Sequence, residues 1–66
     1  MTLPEGNELQ TFSDGTSKHE IKWHNGKKDG WEIKWHSNGQ KSLERNFKND
    51  RLDGQLITWD SKGKKL

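Results

Sequence analysis

Three histidines and a spaced pair of glutamates are the side chains in this sequence that offer the most chemistry. The histidines are His19, His24 and His36, and the glutamates are Glu20 and Glu44. Strict alternation along strands would place His19 on one face of a sheet and the other two histidines on the opposite face. No two histidines have ligand spacing on one strand, and no Asp or Glu completes a three-residue site. We therefore expect no metal site and no cofactor.

Glu20 and Glu44 occupy equivalent positions 24 residues apart. Two carboxylates can share acid–base work on a glycosidic bond. The simpler interpretation is that each pairs with a neighbouring lysine or a turn amide. The chain has no nucleophile elbow and no phosphate-binding glycine loop, and its glycines recur at turn positions that favour positive φ. We therefore expect that the protein is not an enzyme.

Aromatic rings and one arginine are the candidate partner-binding residues, because Trp and Arg are enriched at binding hot spots. They are Trp31, Arg45, Trp35, Trp59, Phe47 and Trp23. The alternative is that most of these rings form the core. Trp31 stands out, because a shift of 24 residues replaces it with Asn7 or Gln55, so the fold does not require an aromatic there. Arg45 replaces Ile21 in the same way, which suggests an ion pair or a partner contact.

Lysines interleaved with the tryptophans offer a second interpretation, in which bases of single-stranded nucleic acid stack on the rings. The phosphate contacts would then come from Lys41, Arg45, Lys48, Arg51 and Lys62. Ten acidic residues spread through the chain weaken this alternative. An anionic membrane would meet only the three lysines of the tail, at about 1 kcal/mol each, so we do not expect a membrane as partner.

Composition limits the chain to one small polar domain. Of its 66 residues, 24% are hydrophobic and 33% are charged. The absence of Cys excludes a disulfide framework, and the N-terminus has no signal-peptide pattern. Both observations favour the cytoplasm. The net charge is +2, but residues 1–33 carry −2 and residues 34–66 carry +4, a polarity that could orient a charged partner.

Turn residues divide the chain into short strands. The sequence predicts strands over 7–12, 17–23, 31–36, 41–47 and 55–59. Asp-Gly and Asn-Gly turns follow the first and third, and longer connections lie at 25–30 and 49–54. Residues 64–66 would begin a sixth strand. We expect an all-β fold, a single-layer curved antiparallel β-meander of five or six strands.

The strands recur every 24 residues without a gap, so that Ile33 becomes Ile57 and Trp35 becomes Trp59. The single domain 1–66 then divides into a capping unit 6–29, a central unit 30–53 and a partial unit 54–66. Odd–even parity over the whole chain predicts one continuous apolar face that carries the tryptophans, the isoleucines and Phe47, with His19 and Arg45 among them.

This repeat resembles the variant MORN repeat (membrane occupation and recognition nexus). Residues 23–40 follow its order of an aromatic, Asn-Gly, Lys, Asp-Gly, an aromatic strand and a second Asn-Gly, and residues 47–63 form a second copy. The resemblance covers residues 6–66. The chain departs from the pattern in having Trp for the usual Tyr and Asp50 for the second-position Gly.

The resemblance implies an extended, twisted antiparallel sheet. In bacteria such repeats are similar to the YwqK-type antitoxins, the immunity partners of secreted toxins, and elsewhere they are protein-interaction or lipid-surface scaffolds. We therefore expect a small antitoxin-like, immunity-like or inhibitor-like module that occludes a partner protein, a toxin or a host enzyme, through its aromatic face. Exposed strand edges would also permit a homodimer.

Overall fold

Five strands form one open antiparallel sheet in the computed structural model, which describes residues 3–66. The strands are β1 Gly6–Thr11, β2 Ser17–His24, β3 Lys27–Trp35, β4 Lys41–Lys48 and β5 Arg51–Thr58. Each strand pairs with its chain neighbours, so the predicted all-β meander is confirmed. The expected sixth strand is reduced to a single bridge between Trp59 and Lys65. Residues 3–66 contain no helix long and apolar enough to span a membrane.

Three turns of one kind recur at the repeat spacing. The amides of Gly15, Gly39 and Gly63 each donate to the carbonyl three residues earlier, over 2.9, 3.0 and 3.0 Å. All three glycines have φ values of 88–90°, which an L-residue rarely adopts. Next to the Gly15 and Gly39 turns, a bulge interrupts the strand pairing. It lies between Gln10 and Thr11 in the β1–β2 hairpin and between Lys34 and Trp35 in the β3–β4 hairpin. The first two of these turns are the Asp-Gly and Asn-Gly hairpins that the sequence predicted, and the third has Lys62 before its glycine.

The two connections predicted to be long are two-residue turns. Asn25-Gly26 has φ values of 51° and 79°, and Asn49-Asp50 has 51° and 67°. Two successive positive φ values are typical of the type I′ hairpin turn. The predicted loops over 25–30 and 49–54 are therefore wrong, because β3 and β5 start directly after these turns. Gly30 lies inside β3 beside a bulge, and its φ of 114° is a value that L-residues rarely adopt.

The predicted single apolar face is also wrong. Apart from Thr11↔Ser17 and Trp35↔Lys41, which lie on the turn side of the bulges, every pair joins an odd residue to an even one, as in Ile21↔Glu32↔Arg45. Paired residues of antiparallel strands share a face. Parity therefore reverses at each hairpin: the two-residue turns reverse it directly, and after the Gly15 and Gly39 turns the bulge does so. Because of these reversals, the residues that chain-wide parity assigned to one apolar stripe lie on two opposite faces of the sheet.

We call these surfaces the Glu32 face and the Trp31 face. The Glu32 face carries His19, Ile21, Trp23, Glu32, Leu43, Arg45, Phe47 and Leu56. The Trp31 face carries Leu9, Glu20, Lys22, Trp31, Ile33, Glu44, Asn46 and Ile57. The sheet measures 39 × 29 × 10 Å, so one layer of side chains covers each side.

The core lies on the Glu32 face and is small. Ile21 and Phe47 are its buried hydrophobic residues, and Glu32 is 2% exposed, the lowest exposure in the described chain. On the Trp31 face, Leu9 and Trp31 are each 53% exposed. The two surfaces of this sheet therefore differ in packing, although both carry apolar and charged side chains.

Candidate partner-binding surface

A carboxylate held between a histidine and an arginine forms the centre of the Glu32 face. His19 on β2 donates from Nε2 to Oε2 of Glu32 over 2.7 Å, and Arg45 on β4 donates from Nε to Oε1. Both carboxylate oxygens are therefore occupied, as a buried charge requires. The His19 and Arg45 side chains remain 22% and 28% exposed, so the pair closes over the carboxylate from the solvent side.

The ionisation of Glu32 follows from this geometry. Burial acts to raise the pKa of the Glu32 carboxyl. Hydrogen bonds from Arg45 and His19, with the charges of Arg45 and Lys28, outweigh that cost and hold the pKa below its usual range. Glu32 is therefore an anion at neutral pH, and the hydrogen bonds from Arg45 and His19 are what allow its charge to be buried.

Phe47 extends this network with two cations over its ring. The Arg45 guanidinium carbon lies 4.9 Å from the ring centroid, and Nζ of Lys28 lies 5.0 Å from it. Such contacts contribute about 0.5–1 kcal/mol each at partly exposed sites. Arg45 thus joins the carboxylate to the aromatic core. Of the two roles that the sequence suggested for Arg45, an ion pair or a partner contact, the structure shows the ion pair.

The structure does not bring the six predicted partner-binding residues together. Trp23, Arg45 and Phe47 lie on the Glu32 face, where Nε1 of Trp23 donates to Glu8 over 2.8 Å. Trp31 lies on the opposite face. Trp35 and Trp59 are half-buried at the ends of their strands, next to the turns.

Among the Trp and Phe side chains of the described residues, only Trp31 is more than half exposed, and it lies on the central strand. An open cavity of about 230 Å³ adjoins it. Its lining residues are Asn7, Glu20, Lys22, Trp31 and Ile33. An indole beside an isoleucine, with an amide, a carboxylate and an ammonium around them, combines an apolar centre with a polar rim. That arrangement is typical of protein interfaces.

The other sequence candidates for chemistry lie apart. Ile33 stands between Glu20 and Glu44 in one row across the Trp31 face, which separates their backbones by about 10 Å. Glu44 instead accepts a hydrogen bond from Nζ of Lys41 over 2.9 Å, the lysine pairing that the simpler interpretation predicted. Within residues 3–66, no three potential metal ligands converge.

His24 and His36 serve the turns. Nδ1 of His24 lies 3.1 Å from Glu5 Oε2, and the other oxygen of Glu5 accepts the amide of Asn25 over 3.0 Å. Nε2 of His36 donates to the Trp59 carbonyl over 3.0 Å. The first contact ties the lead-in to the β2–β3 turn, and the second ties two repeat-related turns together.

Sequence reasoning missed Glu32 as the centre of the core, because chain-wide parity put it on the polar face. A usable signal existed in the repeat. Shifting by 24 residues exchanges Glu32 with Leu56, Arg45 with Ile21, and His19 with Leu43. Three simultaneous exchanges between an apolar and a polar residue indicate that the three polar side chains meet. No protein-family model, curated protein or solved structure matches this chain, so the MORN resemblance stays a prediction from the pattern of residues.

Proposed function

We propose that this protein is a binding module that occludes a surface of a partner protein, with Trp31 as its anchor. One observation carries the proposal: an indole that is 53% exposed stands at the centre of the sheet, at a position where the repeat otherwise has Asn7 and Gln55. Half-exposed aromatics of this kind supply large contact areas to partners.

The surroundings of Trp31 support a protein as the occupant. Leu9 and Ile33 on the same face add apolar area, and Lys22 and Glu20 supply charges of both signs around it. The 39 × 29 Å face is large enough for the roughly 800 Å² that a standard interface covers on each partner. A toxin or a host enzyme, whose active or assembly surface this module would block, is the class of partner that the sequence pattern favours.

Replacement of Trp31 tests this proposal. Partner capture from an extract of the native host, followed by mass spectrometry, supplies the binding partner. Trp31→Ala should weaken its affinity by about 30-fold, because a hot-spot aromatic contributes about 2 kcal/mol or more.

Leu56→Ala is the matched control, because Leu56 is 50% exposed but lies on the Glu32 face. We expect its affinity to equal that of the wild type. Loss of affinity in Leu56→Ala with none in Trp31→Ala would place the interface on the other face. Loss in neither would exclude both faces and leave the strand edges.

A further inference from the structure

Two repeat-related turns lie side by side at one end of the Trp31 face. The repeat exchanges His24 with Lys48 and Lys27 with Arg51. His24 pairs with Lys27 across the first turn, and Lys48 pairs with Arg51 across the second. The sheet thus places one pair of basic side chains next to another.

Backbone contacts hold the two turns together. The Asp50 amide donates to the Lys28 carbonyl over 2.9 Å, and the Lys28 amide donates to Oδ1 of Asp50 over 2.6 Å. Asp50 takes the position that Gly26 has in the first turn, so its side chain is available for this contact. Turn positions are therefore fixed relative to one another, and the basic side chains have a defined arrangement.

An open cavity of about 510 Å³ lies at this site, and we call it the loop cleft. Its lining residues are Lys27, Lys48, Asn49, Arg51, Leu52 and Asp53. Over the described part of the chain, none of the three cations forms an ion pair. With the carboxylate of Asp53 set against these three cations, the lining keeps a positive balance of charge, and a concave surface of this kind attracts anions.

The composition of the loop cleft favours carboxylates that are spaced along a chain. A compact phosphate site commonly uses several free backbone amides, whereas the Asp50 and Lys28 amides are already bonded here. Single-stranded nucleic acid needs aromatic rings for its bases, and no aromatic side chain lines the cleft. Leu52 also borders the cleft, but its pairing with Phe47 directs its side chain to the Glu32 face, so the charged side chains are what the cleft offers a ligand.

We propose that the loop cleft binds an acidic segment of the partner protein, whose Asp or Glu side chains pair with Lys27, Lys48 and Arg51. This inference rests on the proposed protein-binding function. The cleft lies at the start of edge strand β5, so an extended acidic segment also meets an open strand edge there.

A fluorescein-labelled hexaglutamate peptide, titrated by anisotropy at low ionic strength, tests the loop cleft without the natural partner. The K48A/R51A variant should bind it about tenfold more weakly than the wild type. The matched control is K62A/K64A, which removes the same charge from exposed residues outside the cleft and should retain nearly full affinity. Binding should weaken as salt is added.

Four results would overturn the proposal. Equal losses in the two double variants would assign the binding to overall charge. The site would be assigned to phosphates if pyrophosphate displaced the labelled peptide at a lower concentration than unlabelled hexaglutamate does. The same conclusion would follow if an oligothymidine strand bound more tightly than the peptide. No peptide binding at low ionic strength would exclude an acidic ligand. None of these results bears on capture of the natural partner through Trp31, so the two proposals fail separately.

Discussion

The two faces of this sheet carry similar rows of side chains but bury them to different extents. One row of the Glu32 face runs Ile21, Glu32 and Arg45, and the adjacent row of the Trp31 face runs Glu20, Ile33 and Glu44. Each row mixes apolar and charged residues. Only the first row buries its carboxylate, because only there does a side-chain hydrogen-bond donor reach the carboxylate from each neighbouring strand.

The difference between the faces shows that hydrogen bonds to a buried charge, as well as hydrophobicity, determine which face becomes the core. Trp31 is larger than Ile21 but lies on the face without such a network, and it stays half-exposed. Phe47 is buried beneath Lys28 and Arg45, and the Glu32 carboxylate holds Arg45 in place. In a sheet with a single layer on each side, a paired charge can cover a ring that no second layer of structure covers.

The largest difference between the faces should appear when one ring is removed from each. Phe47→Ala should lower the free energy of unfolding by about 3 kcal/mol, because it leaves a cavity in the core. Trp31→Ala should lower it by about 0.5 kcal/mol or less, although it removes a larger side chain. Urea denaturation followed by circular dichroism measures both.

A domain of this size has a stability of only a few kcal/mol, so Phe47→Ala could abolish folding. Phe47→Leu is the milder variant, with an expected loss of about 1 kcal/mol. If Trp31→Ala proved as costly as Phe47→Leu or more so, the indole would belong to the core and the contrast between the faces would fail.

How far the sequence predicts this molecule depends on the scale. The Asp-Gly and Asn-Gly turns and the 24-residue spacing predict the strands and their order, because positive φ at fixed positions is a local requirement. The faces depend on register, and bulges such as that between Lys34 and Trp35 shift register by one residue. The alternation of residues within one strand does not reveal such a shift.

The candidate surface was predictable in part for the same reason. Trp31 breaks the repeat at a single position, and this local signal indicates an exposed aromatic without knowledge of the register. Glu32, His19 and Arg45 are neighbours only after β2, β3 and β4 have paired correctly. Their network is a property of register, so sequence reasoning identified Arg45 as unusual and missed its partner.

The next difference concerns the carboxylates. Glu32→Gln should lower the free energy of unfolding by about 2 kcal/mol, because it removes the charge that two buried hydrogen bonds require. Glu44→Gln on the Trp31 face should lower it by about 0.5 kcal/mol, because its pair with Lys41 faces solvent. Thermal and urea unfolding of both variants check this, and equal losses would contradict a special role for Glu32.

The smallest effect is a pH dependence that isolates the Glu32 charge. Because the folded pKa of Glu32 is lowered from its ordinary 4.5, its contribution to stability is present above that pH and is lost as the pH falls through the folded pKa. Stability measured by urea unfolding should therefore differ more between wild type and Glu32→Gln at about pH 7 than at about pH 3. The pKa values of Glu5 and Asp14 are also lowered, Glu5 mainly by the Asn25 amide and Asp14 by Thr16, but both groups are present in both proteins and cancel in the comparison. A difference that stays constant with pH would mean that Gln disturbs packing rather than charge, and the Glu32 face would then be held by shape instead of by its ion pairs.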